Sequence, residues 1–588
     1  MTVTSLATCA LLALTTLSSA CAPSPYIENP DITTEVDDWR DEVIYQVIVD
    51  RFANGDVNND FNVTHDPTNL NRYMGGDWQG LIDRVDYLQA LGVTAIWISP
   101  VVMNVEEDAG IAGYHGYWTQ SFNDVNPHFG DLAKLRELVD VMHAHGIKVI
   151  VDIVTNHVGQ LFYYDINQNG QADITTWYAT DGSDTLDIVT EWDPGFDGRT
   201  IQSWTSLGYA GDAPLGWVDM PELNRRPPSP PEFRSDDWYH KMGRVTDWSD
   251  LDQVVYGDFP GGLKDLATEN PNVRAGLIRV FQDWITKTNI DGYRIDTVKH
   301  IEHDFWSEFC PAIRDHAAVL GKEQFLMFGE VFDGDDTLLG SYTQDDMLDS
   351  LVYFSQKYWI YDGVFKRGDP TSKLDELYGM RAVNWGAEPQ PGGIGLAPRD
   401  IPINFMDNHD VGRFLFDKDS EDALASAIAF LMTQEGVPLL YYGTEQGFAG
   451  GNDPANREPL WPSGYDTDGD LFVWTAGLTA LRAAHEPLRR GDFTLTWTSP
   501  DTGSAPGAHM LAFERSTDTE TVLVVLNTSD EHTNSTADAA GAMETSFPSG
   551  TTLTVAFPPT LEGQTWTVGG DGALEVSLPP RGVAVLVE

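Results

Sequence analysis

Cysteine is nearly absent from this 588-residue chain: Cys9, Cys21 and Cys310 are its only thiols. Two of the three lie at the extreme N-terminus, so neither a disulfide framework nor a zinc cluster can be built from them. Positive charge is also scarce. Lys and Arg total 35 against 90 Asp and Glu, a formal net charge of −55. Such a surface repels nucleic acid and anionic membranes, attracts cations and stays soluble in salty water. A nucleic-acid partner is therefore not expected. Past residue 20 no apolar run is long enough to span a membrane.

The one early apolar run, residues 6–17, has signal-peptide length and leads into Ser18-Ser19-Ala20 before Cys21. It resembles a bacterial lipoprotein signal with a lipid anchor at Cys21, although no Lys or Arg precedes it and Leu17 stands one place further from Cys21 than usual. Ordinary secretion with cleavage after Ala20 is the alternative. Both put the protein outside the cytoplasm, secreted or lipid-anchored at the cell surface. Residues 21–39, rich in Pro and acid, then read as a tether.

The length suggests two or three domains, one of them large. With 18 Trp, 21 Tyr and 26 Phe the chain has rings to spare, for packing or for ligands with flat apolar faces such as sugars. From about residue 43 short β-branched runs alternate with helical periods. Eight strands are predicted over residues 43–49, 93–98, 147–153, 292–296, 325–330, 351–354, 401–405 and 437–441. Helices are predicted between several of them, over 81–91, 132–145, 272–288 and 423–434. Eight strand–helix repeats argue for an α/β fold, a closed (β/α)8 TIM barrel. The rhythm breaks after the third strand in a Trp-, Asp-, Gly- and Pro-rich stretch. We expect the barrel over residues 40–157 and 267–485, an inserted domain over 158–266, and a C-terminal all-β sandwich over 486–588.

Active sites of such barrels lie at the C-terminal strand ends. The third strand ends in Asp152-Ile153-Val154-Thr155-Asn156-His157 and the fourth in Arg294-Ile295-Asp296. The fifth ends in Gly329-Glu330, the seventh in Asp407-Asn408-His409-Asp410. On the fourth strand Arg294 and Asp296, two residues apart, point to one side. Alone they could be a packing ion pair; four converging endings ask for chemistry. Acidic groups without Cys or a His cluster suit glycoside cleavage, with one carboxylate attacking, one acid protonating the leaving oxygen and a third stabilising the oxocarbenium-like charge. Arg294 would keep Asp296 ionised. Glu330 is the better acid, because no Lys or Arg follows it closely and Phe328 and Phe332 flank it.

These endings resemble the four motif regions of the alpha-amylase family. The resemblance continues through Gly75-Gly76-Asp77-Trp78-Gln79-Gly80, Tyr114-His115-Gly116-Tyr117-Trp118, Leu263-Lys264-Asp265-Leu266 and Tyr442-Gly443-Thr444-Glu445-Gln446-Gly447, and covers residues 40 to 480. It implies an enzyme acting on α-glucans, with Asp296 as nucleophile, Glu330 as general acid/base and Asp410 as stabiliser. Arg294, His157, His409, His115 and Trp118 would bind the substrate, Tyr117 would stack under the sugar at the cleavage point, and Lys299 and His300 would line the leaving-group side. The Lys–His pair is similar to that of enzymes cutting α-1,4 bonds.

The resemblance also implies calcium. Asn156, Asp265 and the backbone oxygen of His300 match the family's calcium site between barrel and insertion. Asn54, Asp56, Asn59, Asp60, Gly75 and Asp77 look like the N-terminal calcium site of cyclodextrin glucanotransferases, with a solvated Asn/Asp loop as the alternative. Asp165, Asn167, Asn169 and Asp173 form the first part of an EF-hand-type loop whose twelfth position, Thr176, is not Glu. Gly261 stands where the transglycosylating relatives carry a ring, and the chain ends after one β-domain, so hydrolysis is expected over cyclisation. A monomer is expected. A non-catalytic glucan-binding protein on the same fold is the remaining alternative, and all three catalytic carboxylates speak against it.

Overall fold

The computed structural model describes residues 30–588 apart from 34, 65, 109, 166–173, 179–184, 190–213, 222–223 and 260–261, and gives backbone alone for 174–178 and 185–189. The expected leader with Cys21, the tether up to residue 29, Asn167, Asn169, Asp173 and Gly261 lie outside the described residues.

Eight parallel strands form the barrel: β1 (Ile44–Val47), β2 (Ala95–Ile98), β3 (Lys148–Ile153), β4 (Gly292–Ile295), β5 (Leu326–Gly329), β6 (Ser350–Leu351), β7 (Ile403–Asn404) and β8 (Val437–Tyr441). They run in the order β6-β5-β4-β3-β2-β1-β8-β7. A parallel bridge between Val352 and Ile403 closes the ring, with Tyr353 N donating to Ile403 O at 2.9 Å. All residues of β1, β2, β4, β5 and β8 are buried, as expected for a parallel sheet wrapped by helices. Each run overlaps a predicted strand, β6 through Leu351 alone, and β6 and β7 are only two residues long. Their flanks keep single backbone bonds to the neighbouring strands, Asp349 N to Met327 O, Val352 N to Gly329 O and Val437 N to Pro402 O, each at 3.0 Å.

The wrapping helices are α1 (Trp78–Asp83), α2 (Val85–Leu91), α3 (Leu132–Ala144), α4 (Pro271–Thr288), α5 (His303–Val319), α6 (Lys373–Asn384), α7 (Glu421–Thr433) and α8 (Asp470–Ala484). The single helix expected over 81–91 is two. Arg84 leaves the helical region (φ −116°, ψ 17°), and its guanidinium lies 4.0 Å over the Tyr465 ring. α3 starts at an Asp131 cap accepting from Lys134 N, and α4 at Asn270 with Pro271 in the first turn. Between β3 and its crossover helix α4 the chain inserts short antiparallel ladders and a six-residue helix, Leu251–Tyr256. Phe162–Tyr164 pairs with Leu215–Trp217, Ile174–Tyr178 with Thr185–Val189, and His157–Val158 with Lys264–Asp265.

The C-terminal part is a six-stranded antiparallel sheet of β9 (Asp492–Trp497), β10 (Met510–Ser516), β11 (Thr521–Asn527), β12 (Thr552–Phe557), β13 (Thr565–Thr567) and β14 (Val583–Val587), in the order β9-β10-β11-β14-β12-β13. Alternation sorts its side chains. Leu511, Phe513, Val522, Val524 and Val585 join the barrel's core, whereas Met510, Ala512, Leu523, Val525 and Leu586 face a second core closed by Met543, Leu574 and Leu578. Two short ladders supply that outer layer, Asn534–Ser535 with Ser577–Leu578 and Met543–Glu544 with Ala573–Leu574.

Two buried arginines meet at the Leu488 carbonyl: Arg482 of α8 fastens segments of the barrel to one another, and Arg515 of β10 fastens the sheet to the barrel. Arg482 donates to Met432 O (3.1 Å), Leu488 O (2.6 Å), Arg40 O (2.8 Å) and Gly436 O (3.0 Å). Arg515 donates to Thr433 O (3.0 Å), Leu488 O (3.1 Å) and Gly491 O (2.9 Å). Buried carbonyls that lose their donors keep their desolvation cost. Arg482→Met is therefore expected to cost on the order of 3 kcal/mol. Calorimetry reads this as a lower unfolding temperature, and an unchanged temperature contradicts the fastening role.

Candidate active site

Strand register builds the site. Arg294 on β4 lies directly beside Asp152 on β3 and Phe328 on β5. Its guanidinium is buried in the barrel mouth and serves three carboxylates. Nη1 donates to both oxygens of Asp152 at 2.9 Å and to Asp296 Oδ1 at 2.9 Å; Nη2 pairs with Glu330 Oε1 at 2.9 Å. The Trp97 ring lies 5.0 Å away and the Tyr117 ring 5.8 Å away, so the cation also has aromatic faces. Asp152 Oδ2 accepts further from Trp97 Nε1 (3.0 Å) and the Tyr117 hydroxyl (2.7 Å), which leaves that carboxylate fully occupied. Glu330 Oε2 accepts from Thr297 N at 3.2 Å. Thr297 takes the left-handed conformation (φ 51°, ψ 37°), turning the chain straight after Asp296 into the helical turn that carries Lys299 and His300.

This corrects the reading of Glu330 as free of a basic partner. No Lys or Arg follows it in sequence, but Arg294 reaches it from the neighbouring strand. Phe328 does not flank it either. Its ring is buried in the barrel, edge-on to Trp97 at 5.8 Å, and only Phe332 stands at the mouth.

Asp410 sits on the opposite wall. Its oxygens meet His409 Nε2 (3.1 Å) and Arg457 Nη2 (3.4 Å). Gln46 Nε2 donates to His409 Nδ1 at 2.6 Å, which leaves Nε2 to carry the imidazole proton toward Asp410. Arg457 also holds His409 O (3.0 Å) and Asp453 (2.9 Å). Tyr117 stacks on His409 at 5.2 Å with planes 6° apart. His157 donates toward Tyr117 O across 3.2 Å and stacks on Phe259 at 5.4 Å. Lys299 Nζ donates to Phe332 O (2.5 Å) and pairs with Asp333 (3.4 Å).

One cavity of about 760 Å³ is lined by Asp296, Glu330, Asp410, His115, Tyr117, Trp118, His157, Lys299, His300 and His409. Every residue predicted to catalyse or bind is thus on its wall except Arg294, which lies beneath. Sequence reading missed Arg457, Asp453, Gln46, Trp248 and Phe259. The first two follow β8 at a distance in a Gly- and Pro-containing loop, and following the chain past the eighth strand end, beyond Glu445, would have found them. The other acidic strand endings serve structure: Asp407 accepts from Phe414 N (2.9 Å) and the Thr444 hydroxyl (3.1 Å).

Electrostatics follow from burial. Burial pushes Asp296 well above the usual carboxylate range; Arg294 opposes it, and Glu330, Asp152 and Asp410 add to it. Burial lifts Asp152 to about 6 against the pull of Arg294. The Arg294 guanidinium does not offset that burial, so it does not hold Asp296 in the ordinary ionised range as its sequence neighbourhood suggested. Burial, then the Arg457 cation, pushes His115 and His409 well below the usual imidazole range, and burial takes His157 to about 3 and His300 to about 4.

Among the described residues no three His, Cys, Asp or Glu side chains converge as a metal site, so the calcium sets depend on Asn and backbone oxygens. Asn54, Asp56, Asn59, Asp60, Gly75 and Asp77 do come together. Asn54 Nδ2 donates to both Asp60 oxygens (3.0 and 2.8 Å), and Asp77 accepts from Gly55, Asp56 and Gly80 N and from Asn59 Nδ2. Asn59 Oδ1 is buried without a partner. Gly75 has φ 92°, and a Cβ there would meet Asn54 Nδ2 at 2.5 Å and Asp60 Oδ1 at 2.7 Å. An orphaned oxygen and a glycine cradle fit a hard cation. Asn156 and Asp265 are also neighbours, through the Asp265–His157 pairing. There, however, His240 Nδ1 is hydrogen-bonded to Asp265 Oδ2 and its Nε2 to Glu269 (2.8 Å). Burial opposes this imidazolium, yet the two carboxylates lift it to about 10. Calcium at Asp265 would have to share that carboxylate with His240.

A parallel barrel whose strand ends gather carboxylates around one guanidinium is the architecture of a barrel glycosidase. Residues 46–480 match the family described as alpha amylase, catalytic domain, and residues 501–587 that described as alpha amylase, C-terminal all-beta domain. The chain belongs to the alpha-amylase family of glycoside hydrolases. It is similar to an alpha-amylase of Streptomyces lividans, 31% identical over 573 residues, covering 89% of this chain and 57% of that protein. It is also similar to a cyclomaltodextrin glucanotransferase of Bacillus sp. (strain 38-2), 30% identical over 581 residues, covering 96% of this chain and 69% of that one. Among solved structures, an alpha-amylase of Geobacillus thermoleovorans complexed with acarbose superposes with a TM-score of 0.68 at 27% identity, over 94% of this chain and 99% of that one. A cyclomaltodextrin glucanotransferase with a three-domain ABC distribution gives 0.70 at 28%, over 93% and 99%. That last structure removes one argument for hydrolysis, because three domains do not separate the two activities.

Unfolded histidine takes up a proton below about pH 6.5, whereas folded His115 and His409 stay neutral there. Their contribution to stability is whole above that pH and is lost as pH falls, by up to about 1.4 kcal/mol per pH unit for each ring. His115→Asn should flatten the fall in urea-unfolding free energy between pH 7 and 5 by one proton's worth. An identical slope in both proteins contradicts the buried neutral imidazole.

Proposed function

We propose that this chain is an extracellular α-amylase, which hydrolyses α-1,4-glucosidic bonds inside starch, glycogen and maltooligosaccharides with retention of configuration. The observation that carries this reading is the sharing of Arg294 by Asp296 and Glu330, one on each prong, at the wall of a single cavity. Neighbouring carboxyls suit the double displacement of retaining enzymes, which need them about 5 Å apart.

In the first step an Asp296 oxygen bonds to the anomeric carbon, while the Glu330 carboxyl gives its proton to the departing glycosidic oxygen. In the second step Glu330 takes a proton from water, the water oxygen bonds to the anomeric carbon, and the Asp296 ester breaks. Asp410, gripped by His409 and Arg457, holds the sugar hydroxyls and the charge between steps. Tyr117, stacked on His409 and tied to Asp152, offers its face to the ring at the cleavage point. Neutral His157 and His409, whose N–H groups are held by Tyr117 O and Asp410, line the pocket without adding charge. Lys299 and His300 lead to the leaving-group side.

Calcium belongs to the same reading. The Asn54–Asp77 loop set would hold one ion, and Asn156, Asp265 and the His300 backbone another; a bound ion cross-links loop and barrel through hard oxygens. The leader expected over residues 1–20 fits export, with or without a lipid at Cys21.

Transglycosylation is a second reading with its own support. Trp248 (51% exposed) and Phe332 (39% exposed) stand on the Lys299–His300 side, and such rings could seat an acceptor sugar in place of water.

Three outcomes are expected. Soluble starch gives linear maltooligosaccharides by chromatography; cyclodextrins as the main product would reverse the two readings. Asp296→Asn loses activity by at least about 10³-fold with an unchanged circular dichroism spectrum, and turnover close to wild type removes the nucleophile assignment. A chelator lowers the melting temperature and, through His300, the activity; a protein indifferent to chelation carries no structural calcium.

A further inference from the structure

We propose that a second cavity, outside the active-site cleft and walled by Trp461, Asp83 and Arg84, is an additional α-glucan binding site that holds another stretch of the polymer being cut. The inference rests on the reading above for the identity of its ligand.

The cavity measures about 730 Å³, within the range of small-ligand sites and comparable to the cleft's 760 Å³. Two segments separate it from the cleft, and each faces both ways. In the segment from Thr64 to Met74, Asn71 lines the cleft, whereas Thr64, Pro67 and Met74 line the second cavity. In the segment after β8, Asp453 and Arg457 line the cleft, and Trp461 and Tyr465 the second cavity. Arg51 ties the two segments together. Its Nη1 donates to Arg72 O (3.0 Å) and Nη2 to Leu70 O (2.6 Å), its own carbonyl accepts from Leu460 N (2.8 Å), and its guanidinium lies 3.8 Å over Tyr114. The partition is therefore a built wall one loop thick.

The lining chemistry is that of a sugar site. A pyranose presents apolar C–H faces and a rim of hydroxyls, so it asks for a flat ring beside paired donors and acceptors. Trp461 is half-buried, and among the described residues its ring has no hydrogen bond, ring pair or place in the core. Asp83 and Arg84 are exposed beside it. Gln79 Nε2 donates to Asp83 at 2.7 Å, and Arg84 is laid over Tyr465 at 4.0 Å, so both are oriented before a ligand arrives. The helix break at Arg84 gives this residue its place at the rim. An anionic ligand is disfavoured, because Asp83 offsets the one cation and the whole chain carries −55. A neutral polyhydroxylated polymer meets no such barrier. One that leaves the cleft past Asp453 and Arg457 finds Trp461 a few residues further along the same loop.

Adsorption to granular starch and hydrolysis of maltotetraose, measured on the full chain, test the proposal. Trp461→Ala should weaken adsorption about fivefold, the value of a lost stacking face near 1 kcal/mol. It should leave kcat/KM on maltotetraose unchanged, and Trp461→Phe should restore most of the adsorption. Measuring adsorption in the Asp296→Asn background keeps binding apart from turnover. Unchanged adsorption in Trp461→Ala overturns the site, as does an equal fall in maltotetraose hydrolysis, which would make Trp461 part of the cleft. Trp461-dependent adsorption by a wild-type protein that cleaves neither substrate would uphold the site and remove the hydrolase reading alone.

Discussion

Three strand ends at the barrel mouth depend on one buried cation. Arg294 reaches Asp152 on β3, Asp296 at the end of its own strand and Glu330 at the end of β5, all at 2.9 Å. Removing a guanidinium from water is costly, and three carboxylates around it compensate only because the strand register places them on its prongs. The same contacts lock three neighbouring strands at their C-terminal ends. They also create an imbalance of charge, since one cation cannot satisfy three anions. Burial and that imbalance together draw Asp296 and Asp152 above the ordinary carboxylate range. Structural and chemical roles thus rest on one side chain.

The fold was legible because the barrel strands are buried on both faces and so appear as β-branched runs at regular spacing. All eight were visible, including the two-residue β6 and β7, whose apolar flanks made them look longer. The helix break at Arg84 was hidden, because no Gly or Pro marks it; Arg84 is held out by Tyr465, which follows 381 positions later. The site was legible where function sits at a strand end: Asp296, Glu330, Asp410, His157 and His409 are all at such ends. It was not legible where the partner comes from elsewhere. Glu330 looked free of a cation because Arg294 is on another strand. His240, which grips Asp265, lies in an inserted segment without periodicity. Arg457 and Trp461 belong to a loop with no strand end to point at them.

The acidic surface and the cleft wall bear on substrate in different ways. A charge of −55 selects against anions over the whole molecule, and so favours neutral polysaccharide. The rings around the cleft do the local selection. Tyr117 and His409 form a stacked floor on one side of the cleavage point, and Trp248, Phe259 and Phe332 gather on the Lys299–His300 side. In the proposed mechanism, that second side is where water or a second sugar would approach the Asp296 ester. The relatives include proteins named as alpha-amylase and as cyclomaltodextrin glucanotransferase.

The central claim is that Asp296, oriented by Arg294, becomes covalently glycosylated. Trapping tests it most directly: the full-length protein is treated with a fluorinated α-maltosyl fluoride that forms the glycosyl ester faster than water cleaves it, then digested and mapped by mass spectrometry. The account predicts one glycosyl adduct, on the peptide containing Asp296. An adduct on Glu330 or Asp410, or continued turnover of the reagent with none on any carboxylate, would contradict it.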